Sequence, residues 1–191
     1  EMCIRDSRLC PGVPMRALSA TAAPRVRADI IRLLALRSPL VQVSSARRDN
    51  LHYAMQRRPR DPMPQVLEAL TLSQGASLIY ARTRRSVERW AERLQEQNVD
   101  ATPYHAGLDP ETRQLALTRF LEQMRPVLVA TVAFGMGVDR GDVRLVLHLD
   151  LPATPEGYLQ ESGRAGRDGL PAHCLVLFSP GDRTSLGLSL I

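Results

Sequence analysis

Apolar positions recur along the chain in two rhythms that alternate. Short apolar runs at 77–81, 127–130, 145–149 and 172–178 read as strands, with 101–104 and 40–44 as shorter ones. Between them, Val26, Ile30, Leu33 and Leu34 share one helical face, as do Met63, Val66, Leu67 and Leu70. Val87, Trp90, Ala91 and Leu94 form another such stripe, and Leu117, Phe120, Leu121 and Met124 a fourth; all follow the i, i+3, i+4, i+7 spacing of an amphipathic helix. Start signals sharpen these assignments. Pro24 opens the first helix, and Asp61–Pro62, Asp109–Pro110 and Thr154–Pro155 each place a capping oxygen before a proline. The helix that begins at Thr154–Pro155 is short and ends near Gly163. Continuously apolar strands between amphipathic helices predict an α/β fold, a parallel sheet with helices on both faces. Such sheets bind ligands at the carboxyl ends of their strands, so the loops there are the place to seek chemistry. Residues 1–10 carry neither period and read as a ragged, possibly foreign end. Residues 45–60 are polar, with Arg47, Arg48, Arg57, Arg58 and Arg60, and read as a linker.

Composition narrows the function. The chain has 191 residues, room for one domain and an appendage with a core that needs no staples. Aromatics are 4%, so the core is aliphatic. All 25 basic residues are arginine, which excludes a P-loop lysine or a Schiff base from this chain. The net charge of +5 and pI near 9.7 lean toward a polyanionic partner, whose phosphates suit the planar arginine fork. A GC-rich genome also favours arginine over lysine and accounts for the bias without contradicting that partner. Cys3, Cys10 and Cys174 make no CxxC pair, so neither a zinc site nor a disulfide framework is expected. No apolar run approaches a membrane span and no signal peptide opens the chain. A reduced, cytoplasmic setting is the expectation.

Two loops are candidates for chemistry. Thr131-Val132-Ala133-Phe134-Gly135-Met136-Gly137-Val138-Asp139 follows the 127–130 strand. It lacks the third glycine of a dinucleotide fingerprint. It is either a tight turn or a backbone that can approach a phosphate or sugar closely, since glycine has no Cβ. The second, Gln160-Glu161-Ser162-Gly163-Arg164-Ala165-Gly166-Arg167-Asp168-Gly169, sets two arginines three apart among glycines after a short helix. It could present two guanidinium forks to a polyphosphate; it could equally be a solvated helix end with cations at the negative pole of the dipole.

The second loop resembles motif VI of the RecQ-type DNA helicases, and residues 130–139 resemble their motif V. Leu18-Ser19-Ala20-Thr21-Ala22 is similar to motif III, residues 78–84 to motif IV, and Tyr104-His105-Ala106-Gly107-Leu108 to the segment after it. Order and spacing agree from about residue 15 to 182. The resemblance implies a superfamily-two motor with two RecA-like lobes and ATP, with Mg²⁺, in the cleft between them. The P-loop and the Asp-Glu magnesium motif of the first lobe are not in this sequence. The chain therefore reads as a fragment: 11–44 the tail of the first lobe, 45–60 the linker, 61–182 the second RecA-like lobe, and 183–191 the start of a truncated continuation.

By the family pattern, Arg167 matches the arginine finger on the γ-phosphate and Arg164 its partner on the phosphates. Gln160 couples ATP to the lobe interface, and Gly135 and Asp139 lie near the nucleotide and its ribose. Thr131, Arg82, Thr83 and His105 fall in segments that face single-stranded DNA, and Thr21 lies in the motif that links the ATP site to DNA. The implied activity is ATP-dependent 3′-to-5′ unwinding, with single-stranded and partly duplex DNA and the first lobe as partners, in a bacterial-type, nucleoid-associated setting. The isolated chain is expected to lack ATPase activity. The family's Phe-x-Arg-Pro-Asn linker is replaced here by Ala46-Arg47-Arg48-Asp49-Asn50-Leu51, which puts the linker's usual contacts in doubt. A non-catalytic nucleic-acid-binding remnant and a lobe of a related RNA helicase remain as alternatives.

Overall fold

The computed structural model describes residues 5, 9, 13–19, 23–43, 47–134 and 139–185. The chain forms two units, residues 1–48 and 49–191. In the first, Pro24 opens helix α1 (Pro24–Leu33), which ends as Leu34 reaches back to Ile30 and Ala35 turns to φ 49°. The apolar stripe read there exists, but the helix has no buried residue. The strand expected at 40–44 does not form across residues 40–43, where Leu40 is 94% exposed. No strand is described elsewhere in that unit to pair with it; Ser44 lies outside the described residues.

The second unit is a six-stranded sheet with α-helices between its strands. In chain order it contains β1 (Leu51–Arg57), α2 (Met63–Leu72), β2 (Ala76–Tyr80), α3 (Arg84–Gln95), β3 (Ala101–Tyr104), α4 (Pro110–Glu122), β4 (Val127–Ala130), β5 (Val143–His148), α5 (Pro155–Ser162), β6 (Ala172–Phe178) and α6 (Pro180–Ser185). The strands lie in the order β1-β6-β5-β2-β4-β3, and every neighbouring pair is parallel. The expected RecA-like parallel sheet is present.

Strand periodicity explains why both faces are covered, because successive side chains point to opposite sides. Ile79, Val129, Leu147 and Leu177 join Val66 of α2 and Val87, Trp90 and Leu94 of α3 in one core. Leu78, Tyr80, Leu128, Val146 and Cys174 join Phe120 of α4, Phe134 and Ala165 in the other. The caps at Asp109 and Thr154 act as their sequence suggests, whereas Asp61 stands one residue before the N-cap of its helix, Pro62. Asp109 accepts Thr112 N–H at 2.9 Å and Thr154 accepts Gly157 N–H at 3.0 Å. Asp61 accepts Met63 N–H at 3.3 Å, and α2 starts one residue beyond the expected Pro62.

The linker expected at 45–60 needs correction, because β1 lies inside it. Its ladder to β6 runs from Leu51↔Ala172 to Arg57↔Phe178. An edge strand escapes notice in hydrophobic patterning because only Leu51 of its residues is buried.

Candidate functional site

The strand order brings the ends of β1, β6, β5, β2, β4 and β3 side by side, and the loops leaving those ends carry polar groups. Arg58, just past β1, is the hub of an ion-pair cluster. It binds Asp150 at 2.6 Å, Asp182 at 2.9 Å and the Ser179 hydroxyl at 3.2 Å, and also donates to the Leu149 carbonyl. Arg82, just past β2, joins from the other side. Its backbone N–H points to Asp150 at 3.4 Å and its guanidinium lies 3.8 Å from Asp182. Asp182 is buried and also accepts the Ser179 N–H at 2.7 Å. A buried carboxylate between two guanidinium groups is tolerable because its charge is matched.

Thr83 is the N-cap of α3; its Oγ1 accepts Ser86 N–H at 3.1 Å and keeps its own proton to donate. Thr131 closes a tight turn in which its carbonyl accepts Phe134 N–H at 2.9 Å. His105 is buried and both its nitrogens are engaged. Nδ1 accepts Gly107 N–H at 3.2 Å, which leaves Nε2 to carry the proton toward Glu88 at 3.0 Å. The imidazole fastens the turn after β3 to α3 and has no nitrogen left for another partner.

The arginine loop lies elsewhere. It does not leave the carboxyl end of a strand, where the open-sheet rule directed the search. Instead it follows α5 back to the amino ends of β5 and β6. Gly166 N–H donates to the Val143 carbonyl at 2.9 Å, and Ala172 N–H to the Asn50 carbonyl at 3.0 Å. Asn50 Nδ2 donates to the carbonyls of Gly166 at 2.8 Å and Leu170 at 2.9 Å. Gly166 sits at φ +50°, a backbone region that glycine enters without strain. Arg144 makes a two-pronged pair with Asp168, one arm at 3.0 Å, and that guanidinium holds the Asp168 carboxyl below its usual range. Arg140 does the same for Asp142, with contacts at 2.5 and 2.9 Å, while also donating to the carbonyls of Phe120 and Gln123.

On this scaffold Arg164 and Arg167 line one cleft with Leu78, Phe120, Phe134, Arg140 and Val143. Arg167 bonds Asp139 at 2.8 Å, with 39% and 86% of the two side chains exposed. Arg164 stands against the Tyr80 hydroxyl, whose pKa is raised above the ordinary phenol value by burial, against the opposing pull of that guanidinium. Gln160 is exposed on α5. The structure thus groups Arg164, Arg167 and Asp139, and separately aligns Arg82, Thr83, Thr131 and His105 along the strand ends. Gly135 and Thr21 lie outside the described residues.

Sequence reasoning passed over Arg58, Asp150, Asp182, Asn50, Arg144 and Tyr80. Tyr80 lies in the 78–84 segment and Asn50 in the linker stretch, but their partners are distant in sequence, as for Arg58–Asp150 at 92 residues, and a local motif does not reveal a distant partner. Among the described residues no group of three His, Cys, Asp or Glu could hold a metal ion. No described helix is long and apolar enough to cross a membrane.

Comparison with known proteins identifies the family and the fold. Residues 62–169 match the helicase conserved C-terminal domain. The ATP-dependent DNA helicase RecQ of Pasteurella multocida is 43% identical over 173 residues, covering 90% of this chain and 27% of that protein. The RecQ-like DNA helicase BLM of Xenopus laevis is 41% identical over 180 residues, covering 91% of this chain and 13% of that protein. The chain therefore spans about a quarter or less of these curated relatives. Among solved structures, S. cerevisiae Dbp5 bound to RNA and ADP BeF3 superposes with a TM-score of 0.73 at 21% identity, over 98% of this chain and 53% of that one. At that identity the likeness speaks to the fold.

Proposed function

The chain belongs to the helicase conserved C-terminal domain family, with similarity to RecQ-type helicases across about 90% of its length, and from that premise we propose that it is the second motor lobe of an ATP-dependent 3′-to-5′ DNA helicase. The observation that carries this reading is the fixed loop that presents Arg164 and Arg167 side by side at one small hollow. Its backbone is tied to β5 by Gly166, to Asn50 by two hydrogen bonds from the side-chain amide and to Arg144 through Asp168. A preorganised cation stabilises charge as it develops without reorganising at the moment of reaction.

In this reading Arg167 is the finger on the γ-phosphate and Arg164 the fork on the neighbouring phosphates. The exposed Arg167–Asp139 pair suits such a role, since an ion pair at that exposure is weak. A phosphate carrying more charge displaces Asp139, which is then left near the sugar. By the family pattern Gln160, exposed on α5, and Gly135 are assigned to the nucleotide, and Thr21 to the motif that couples nucleotide to DNA. ATP's remaining contacts and the Mg²⁺ ligands belong to the first lobe, so the 191-residue chain alone is expected to be inactive.

Single-stranded DNA crosses the strand ends. Arg82 and the hydroxyls of Thr83 and Thr131 meet its phosphates, contacts that position without reading sequence. His105 serves that track by holding the turn after β3 rather than by touching a phosphate, because Glu88 and Gly107 occupy both nitrogens.

The test is ATP hydrolysis by the full-length protein with and without single-stranded DNA. Arg167→Ala is expected to lose about three decades of the stimulated rate. An active parent matched by Arg167→Ala moves the finger to another residue; a parent that never hydrolyses ATP leaves a binding remnant.

A further inference from the structure

Tyr80 has no part in the chemistry described so far, yet it is the junction of a buried polar column. It closes β2 and is 2% exposed. Its hydroxyl donates to the Phe134 carbonyl at 3.4 Å, and so reaches the turn that follows β4. Its ring stacks on His148 at 5.0 Å between centroids and 22° between planes. His148 is buried at the end of β5 and meets Glu161 at 2.7 Å, while Tyr158 closes edge-on at 5.2 Å. Tyr158 and Glu161 both belong to α5, the helix that runs directly into Arg164.

Tyr80 packs in the same core as Ala165, the residue that follows Arg164, and the Arg164 guanidinium acts electrostatically on its hydroxyl. Burial keeps the phenol protonated at any working pH, so it always has a proton for Phe134 and a lone pair for a cation. In a dry site these bonds polarise one another, and the ring stack limits the rotation of each member.

We propose that Tyr80, held in place by the His148–Glu161 pair, is a positioning residue for Arg164 and ties its orientation to the 131–134 turn. The inference rests on the reading of Arg164 as a phosphate-binding residue. Under that reading the turn faces nucleic acid and Arg164 faces nucleotide, so one hydroxyl spans the two. A shift of the turn on DNA binding then moves the acceptor that fixes the tyrosine, and through it the guanidinium.

The full-length protein is assayed for DNA-stimulated ATP hydrolysis as the parent, Tyr80→Phe, Arg164→Ala and the double variant. Tyr80→Phe deletes one oxygen and keeps the ring stack. Its kcat is expected to fall about tenfold, the effect of one hydrogen bond to a charged group, with KM for ATP and Kd for single-stranded DNA within about twofold of the parent. Added to Arg164→Ala it is expected to cost nothing further, as required of a residue acting through another. His148→Gln, which retains a donor for Glu161, keeps kcat near the parent's, whereas His148→Ala does not.

Equal kcat for parent and Tyr80→Phe overturns the proposal. So does a loss that adds in full to that of Arg164→Ala, or the same loss in both His148 variants. A parent with no ATP hydrolysis at all overturns the functional reading and this inference with it.

Discussion

Substituting Gly166 by alanine tests whether the arginine loop is as fixed as its contacts imply. At φ +50° an L-residue meets the left-handed penalty, about 1–2 kcal/mol. A Cβ built there lies 2.6 Å from the Leu170 carbonyl oxygen and 2.6 Å from Asn50 Nδ2, with Ala172 Cβ at 3.2 Å. The oxygen is backbone and cannot swing aside, and the amide is already committed to two carbonyls at 2.8 and 2.9 Å. Relieving the overlap moves the loop by several tenths of an ångström and weakens at least one of those bonds, adding about 1–3 kcal/mol. The expected total is about 2–5 kcal/mol. Gly169→Ala is the internal control, since φ is +85° there but nothing lies within 4 Å of the new methyl. It is expected to cost the backbone penalty alone, about 1–2 kcal/mol. Urea unfolding followed by the fluorescence of Trp90, the single tryptophan, buried at 5% exposure, measures both. Equal losses in the two variants refute the crowding argument, and an unchanged midpoint for Gly166→Ala refutes the fixed loop altogether.

Three further outcomes follow from the same structure. Thr154→Ala removes the hydroxyl that caps α5 at Gly157 N–H and is expected to cost about 1 kcal/mol, read from the urea midpoint; no change would mean that α5 is held by packing alone. The Asp142 and Asp168 carboxyls are depressed by Arg140 and Arg144, so their contribution is present above the unfolded carboxylate pKa and is lost as pH falls through their lower folded values. The urea midpoint should therefore decline as acid is added below about pH 4, and Arg144→Ala should flatten that decline. Single-stranded DNA binding, with two to three phosphates neutralised, should give a slope of log K against log salt of about −1.4 to −2; a flat response removes the electrostatic account.

How far the sequence alone revealed this molecule depended on where each interaction lies along the chain. Asp109 and Thr154 were readable because a cap bonds a group three residues away. The strands β2, β4 and β5 were readable because burial on both faces demands a largely apolar run, broken here only by Ser77, Arg144 and His148. β1 was not, because an edge strand exposed from His52 to Arg57 looks like any polar linker. At 40–43 the opposite holds: an apolar run forms no strand where none is described to pair with it. Arg164 and Arg167 stood out through their glycine setting. Asn50 stood in the linker stretch, but nothing local shows that it holds their loop from 116 and 120 residues upstream; the aspartates of the Arg58 cluster carry no local signature. His105 stood in a recognisable segment, but only three-dimensional contact shows both of its nitrogens occupied.

The pairing of β1 with β6 also sets an order of events at the ribosome. β1 emerges early in the second unit, yet Asn50 must wait for a carbonyl 120 residues downstream. At about 5–20 residues per second that interval is roughly 6–24 s. Throughout it, β1 has no neighbour in the sheet, and Tyr53 and Met55, exposed even in the finished fold, are open to chaperones and to other nascent chains. The bonds that shape the arginine loop close in the same late step that seats this strand. A polysome-bound chain therefore leaves the loop of Arg164 and Arg167 without these bonds until almost all of the unit has been made.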